Sequence, residues 1–460
     1  MNGIMRSFGN QRFTGLALLF LFSLSGIFLI FSGYLIASGR ILQLIVVVGF
    51  TIIYFFLYQK SQYFLPLYFI FMSIRFFGIS WGVRGGNIYL GDFLIVIVVA
   101  IIVLKKIMKK EKISMIYPDI PIFLLLLLSI LLLFRSIQVN GYNAVRESAI
   151  FTFVFLYFIT RESLRNFKHI DVTFKWYFIF SVIIFISCLV SLSKTISTGL
   201  FFFSTRPNVV FMGAGRGLFL LFTVIFLITA ANKLHWPNIA KIVVLFSYLI
   251  IIALSQVRTS YVALAVSVIL AFLFTSKKAK MLVGSLAVLL LIMLVFKFTL
   301  TPKVSQRVYQ SIRSPLMYRA DRTSQWRITV WQHEINRDLS NVEHFLIGRL
   351  LGSYYDITVL GNIVSTHNSY IDFFSKTGLI GICLLLWFIA SVYSYLIPAV
   401  RTTKYGNYIF AVVVCFTVLL VHLFTYPGLY QRGTGVFIGI LSGIGVNLRF
   451  SADREKEKGK

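Results

Sequence analysis

Residues 120–137 read IPIFLLLLLSILLLFRSI, eighteen positions with one charge, Arg135. A helix needs about 20 mostly apolar residues to cross a hydrocarbon core of roughly 30 Å, and this run is of that kind. It has company. Comparable runs occupy 14–37, 41–58, 62–80, 91–104, 145–160, 174–193, 214–231, 239–255, 260–275, 281–299, 371–397, 407–425 and 434–449. With 58% hydrophobic residues over 460 and a mean hydropathy of +0.86, the chain is excluded from the soluble globular class. The expectation is an all-α polytopic integral membrane protein of about 12–14 transmembrane helices. The first run follows Arg6 and Arg12 as a signal peptide would. It is too long for a typical signal core, so it reads as a retained helix.

A net charge of +29 would suggest nucleic acid in a soluble protein. Here its distribution speaks of topology instead. The stretch Lys105-Lys106-Ile107-Met108-Lys109-Lys110, the run Lys277-Lys278-Ala279-Lys280 and the tail Arg454-Glu455-Lys456-Glu457-Lys458 are cytoplasmic by the positive-inside rule. Fourteen helices put all three, and the N-terminus, on one side. Sorted by that topology, 17 of the 21 lysines lie inside, but only seven of the 23 arginines do. Arginine's planar, weakly hydrated fork suits phosphate, which gives a reason for arginines on the outer side. Arg40, Arg75, Arg84, Arg135, Arg146, Arg206, Arg216, Arg258 and Arg432 fall in short outer segments. Each could equally snorkel to headgroups or end a helix. Arg75 and Arg135 sit among apolar neighbours, where a charge is costly and marks a candidate site. The carboxylates near them in sequence are Asp92 and Glu147, and Arg146-Glu147 reads as a simple helix-start pair.

The one long polar region is 301–369, outside by helix count, with eight basic and five acidic residues. Within it, Ser324–Leu339 patterns as an amphipathic helix: Trp326, Val330, His333 and Arg337 share one face, with Arg327, Trp331, Glu334 and Asp338 on the adjoining one. The expected organisation is helices 1–11 over 1–300, an extracytoplasmic loop over 301–369, helices 12–14 over 370–449, and a basic cytoplasmic tail over 450–460. Cys188, Cys383 and Cys415 lie in separate apolar runs and make neither a zinc spacing nor a disulfide framework. Neither internal repeats nor broken midplane helices, the marks of a transporter, are visible.

The chemistry-bearing residues cluster late. Trp326-Arg327 and Trp331 are followed by His367-Asn368-Ser369-Tyr370 and then by Thr377-Gly378-Leu379-Ile380-Gly381. His367, with an unperturbed pKa near 6.5, is a natural proton acceptor at neutral pH, and it stands just before an apolar run. Asn368 is placed to cap the helix that follows. Of the other histidines, His333 and His344 read as structural, and His169, His235 and His422 have no chemical context. No histidine pair has a zinc spacing with a carboxylate or cysteine, so no metal is expected.

This pattern, over roughly 204–381, resembles the O-antigen ligase and Wzy-type polysaccharide polymerase family. The resemblance implies a C-type glycosyltransferase with one large extracytoplasmic loop, drawing on an undecaprenyl-pyrophosphate-linked oligosaccharide. It carries a functional histidine onto His367. It also carries pyrophosphate-binding arginines onto Arg258 and Arg327, with Arg216 and Arg206 as alternatives before the eighth helix. Arg258 lacks the serine immediately before it that the family often has; its nearest one upstream is Ser255. Arg75, Arg135, Asn368 and Tyr370 are weaker substrate-binding candidates. The implied reaction is inverting, without metal or other cofactor, at the outer face of the cytoplasmic membrane. The acceptor is a further repeat unit for a polymerase or lipid A-core for a ligase, and the extra helices favour the polymerase. Membrane lipids and a chain-length regulator complete the expected partners; nucleic acid is not among them. A flippase for the same glycan is the reading from another class.

Overall fold

The computed structural model describes residues 49, 52–54, 56–76, 90–110, 115–197, 214–230, 238–254, 258–274, 322–353, 358–359, 362–363, 366–424, 426, 428–429 and 434–458. Among them, helices overlie the apolar runs: α1 (Phe64–Phe76), α2 (Leu90–Lys109), α3 (Asp119–Asn140), α4 (Tyr142–Glu147), α5 (Thr152–Ser163), α6 (Phe167–Ser197), α7 (Ala214–Ala230), α8 (Asn238–Leu254) and α9 (Arg258–Phe274). The polar region contributes α10 (Arg322–Leu339), α11 (Val342–Ile347) and a hairpin of β1 (Thr358–Val359) with β2 (Asn362–Ile363). Then come α12 (Ser369–Thr402), α13 (Gly406–Phe424) and α14 (Val436–Lys458). Runs 14–37 and 281–299, and the loop residues before 322, lie outside the described residues. Five of these helices (α3, α6, α12, α13 and α14) are long and apolar enough to cross a membrane, and α7, α8 and α9 are shorter apolar helices. The protein is all-α and polytopic.

The chain divides into two units, Met1–Leu65 with Gly91–Ser114, and Pro66–Leu90 with Met115–Lys460. In the first, the Lys105 ammonium lies 5.1 Å from the centre of the Tyr58 ring. The second holds the large core and everything that follows.

That core begins with α14 against α5. Gly439 and Gly443 are one helical turn apart, and a β-carbon on either would collide with Phe153, Tyr157 or Thr160 of α5. Small residues at this spacing let two apolar helices approach to backbone contact where burial in lipid gives no drive of its own. One turn further, Asn447 Nδ2 donates to the carbonyls of Thr160 and Arg161 at 3.2 and 3.0 Å. Beside this pair, Phe69, Tyr177, Phe180, Phe219 and Phe437 form an aromatic cluster from α1, α6, α7 and α14.

The two ends of the unit differ. At one, Asp119 pairs with Arg161 and accepts from the Tyr157 hydroxyl at 2.6 Å. The Tyr405 hydroxyl donates to Glu455 there too, at 2.9 Å. The residues of 450–458 are no loose tail: α14 continues through them as helix. At the other end, α10 and α11 dock on α3, α4 and the start of α12.

That docking requires a break. A continuous helix of 34 residues would be about 51 Å long, far more than a bilayer core. Gly378 interrupts α12 at φ 63°, ψ −164°. Leu379 to Thr402 alone then spans about 36 Å. The apolar run 371–397 reads as one unbroken helix, and the break at Gly378 falls near its loop end. Gly378 faces Leu346–Ile347, and Gly348, at φ 79°, faces Lys376–Thr377; a β-carbon at either would overlap the opposing backbone. Both positions therefore demand glycine twice over, for conformation and for space. Gly141, at φ 50°, has open space around its missing β-carbon. Gly378→Ala should therefore lower the thermal midpoint in detergent clearly more than Gly141→Ala, which carries only the left-handed cost of about 1–2 kcal/mol. Equal shifts for the two would contradict the close backbone contact.

Candidate active site

The loop helices are fixed to α12 by buried charge. Glu334 and Asp338 lie one turn apart on α10, and both are fully buried. Between them sits Arg349, 3% exposed, paired with Glu334 and with Nε 2.9 Å from Asp338 Oδ1. The Ser375 hydroxyl donates to Asp338 at 2.6 Å. Burial pushes the Asp338 carboxyl above its usual range, with Ser375 and Arg349 opposing that rise. The Arg349 N–H donates to the Ser375 carbonyl at 2.8 Å, satisfying one of the acceptors that the break at Gly378 frees.

A second buried pair reaches α4. Lys376 Nζ stands 2.9 Å from Glu147 and donates to the Ser353 carbonyl at 3.0 Å, and Glu147 also accepts from the Gly352 N–H. Glu147 thus serves Lys376 and the loop, roles beyond the helix-start pair expected with Arg146. Arg135 is likewise paired with Glu343 of α11 rather than with Asp92 or Glu147. Asn140 Nδ2 donates to the Leu351 carbonyl at 2.7 Å.

On this platform sits His367. Its φ is +52°, and Lys110 is the other non-glycine residue with positive φ among the described residues. A bulky residue in the left-handed region is uncommon and persists where its surroundings fix it. Here they do. The preceding Thr366 carbonyl accepts from Trp331 Nε1 at 2.6 Å, and the following Asn368 is the N-cap of α12, accepting from the N–H groups of Tyr370 and Ile371 at 3.0 and 3.3 Å. Trp326 meets the imidazole edge-on with ring centres 5.6 Å apart. His367 is half-buried, and burial, with the Arg327 guanidinium second, holds its pKa below the ordinary value. The ring is therefore neutral, and able to take a proton, further into the acid range than a free imidazole.

The structure thus brings His367, Arg327, Asn368 and Tyr370 together. The Tyr370 hydroxyl donates to the Leu420 carbonyl at 2.9 Å. Arg216, on α7, donates to Ser191 Oγ at 3.2 Å, beside Gly215, whose β-carbon would meet Thr434. Arg258 opens α9 and Arg75 lies in α1, but their side chains, and all of Arg206, fall outside the described residues. His333 is half-exposed on α10, and the His344 N–H donates to the Asn341 side chain that caps α11. Among the described residues, no three His, Cys, Asp or Glu side chains gather as a metal site would.

A polytopic helical membrane protein with a histidine and an arginine presented by a docked loop is the class that these elements define. Residues 242–386, from α8 into α12, match the family model Wzy_C, described as O-antigen ligase. The match covers about a third of the chain, and over that segment it supports a likeness to the O-antigen ligase and polymerase family. No curated protein matches it.

Arg349, Glu334, Asp338 and Lys376 carry the platform, and the sequence reading gave them no role. The spacing of Glu334 and Asp338 was the available signal, since two carboxylates on one face of a helix ask for a shared cation. Arg349→Met should strand both carboxylates at a cost of about 3–5 kcal/mol, lowering the thermal midpoint and opening the 340–353 segment to protease. A variant as stable and as protease-resistant as the parent would contradict this account of the docking.

Proposed function

We propose that the chain is a polysaccharide polymerase of the O-antigen or capsule type, acting at the outer face of the cytoplasmic membrane. Its donor is an undecaprenyl-pyrophosphate-linked glycan, and its acceptor is a sugar hydroxyl on a further lipid-linked repeat unit. His367 removes the acceptor's hydroxyl proton as the oxygen attacks the anomeric carbon. The bond from that carbon to the pyrophosphate oxygen breaks on the opposite face, so configuration inverts and undecaprenyl pyrophosphate departs with the bonding pair. Arg327 and Arg258, with Arg216 or Arg206, take up the charge that develops on the leaving group. Asn368 and Tyr370 shape the mouth of the site, and Arg75 stands as a weaker contact. Arg135, committed to Glu343, supports the loop instead.

The observation that carries this reading is the placement of His367: half-buried, depressed in pKa, and beside Arg327 at the end where the loop docks. Transfer to lipid A-core is the second reading, favoured by the family description at 242–386. Purified protein given a lipid-pyrophosphate oligosaccharide, with and without lipid A-core, separates the two by the product formed. Asparagine tolerates the left-handed backbone, so His367→Asn should fold and insert normally while losing about 10²–10⁴-fold in turnover. Full activity in that variant would reassign the base.

The acid limb of the turnover–pH profile should lie below pH 6.5, and Arg327→Gln should move it upward. Arg327 lowers the His367 pKa, so removing it lets the imidazole hold its proton to higher pH. An unmoved limb would separate Arg327 from the base. EDTA should leave turnover unchanged, since the guanidinium groups supply the positive charge. An enzyme inactivated by EDTA and restored by Mg²⁺ would overturn the arginine clamp.

A further inference from the structure

Asp372 lies one turn into α12, 1% exposed, and the sequence reading gave it no role. The Thr366 hydroxyl donates to its Oδ1 at 2.5 Å. The same hydroxyl accepts from the Asn368 N–H at 3.1 Å and lies 3.0 Å from the Asn368 carbonyl oxygen. Thr366 is itself fully buried, and its carbonyl is held by Trp331. The residues on either side of His367 are thus tied by one hydroxyl to a buried carboxyl group of α12, and by one carbonyl to α10.

We propose that Thr366 and Asp372 are positioning residues for His367, holding it in the left-handed conformation that aims the imidazole at the acceptor. The proposal rests on His367 being the base. Neither residue touches substrate. Their effect runs through the backbone: the Thr366 hydroxyl bridges the Asp372 carboxyl and the Asn368 N–H, which fixes the chain direction entering and leaving His367. Without that bridge the residue relaxes toward negative φ, which swings the ring away from the line joining acceptor and donor. Displacements of the order of 1 Å at a reacting group cost about 10²-fold in rate.

The test uses full-length protein in detergent or nanodiscs, with a lipid-pyrophosphate oligosaccharide as substrate. Thr366→Val keeps the shape and removes the hydroxyl. It should lower kcat by about 10–10² and leave the donor KM within about twofold, because binding groups are untouched. Thr366→Ser restores the hydroxyl and should recover most of the turnover. In a His367→Asn background, Thr366→Val should lower the residual rate no further, since the group it aims has gone. Wild-type kcat in Thr366→Val, or an equal loss in the His367→Asn background, overturns the positioning role. Should His367→Asn itself turn over normally, the base assignment falls, and the positioning role with it. If Thr366→Val fails to accumulate, Asp372→Asn keeps an acceptor oxygen and Asp372→Leu removes it; the same kcat in both overturns the proposal.

Discussion

Arg349, buried between Glu334 and Asp338, is the interaction on which the arrangement of the site depends. Two carboxylates without exposure would be prohibitive alone, and one guanidinium with the Ser375 hydroxyl makes them tolerable. The consequence is geometric. Arg349 also donates its backbone N–H to the Ser375 carbonyl, which is free because Gly378 ends the first part of α12. Docking of the loop and breaking of the helix are therefore one event, and Gly348 against Gly378 is what lets the backbones come close enough for it. The second buried pair, Lys376 with Glu147, ties the same segment to α4.

From that platform the chemistry follows by short steps. α10, held by its buried carboxylates, presents Trp326, Arg327 and Trp331 toward the start of α12. Trp331 holds the Thr366 carbonyl, Trp326 meets the imidazole, and burial, with Arg327 second, lowers its pKa. A base at neutral pH needs a ring that is unprotonated, and one aimed at a hydroxyl must not wander. For the base proposed here, the docked loop favours both conditions.

Much of the fold was legible because lipid imposes a plain rule on sequence: apolar runs of about 20 residues, and helices to satisfy the backbone. Outside the polar region the described helices lie on those runs, and Asn368 announces the start of α12 as its cap. The long-range pairings were not legible. Arg135 with Glu343 and Glu147 with Lys376 join residues more than 200 positions apart, so proximity in sequence did not point to them. The Gly378 to Gly381 motif could be seen, but its break could not, since glycine inside an apolar helix is also tolerated as simple packing. Of the candidate site, His367 and Arg327 could be named from residue type and resemblance. The left-handed backbone at His367 and the Thr366 to Asp372 bridge depend on how the loop closes.

The proposed function requires the docked loop to face away from the cytoplasm, the side on which it places the lipid-linked donor. Ser340, exposed between α10 and α11, offers a place to ask. With Cys383 replaced by serine, Ser340→Cys should react with a membrane-impermeant maleimide in cells whose outer layers are removed but whose cytoplasmic membrane is intact. Glu457→Cys in the same background should react only after that membrane is opened. Labelling of Ser340→Cys solely after permeabilisation would put the loop in the cytoplasm and contradict an outward-facing transferase.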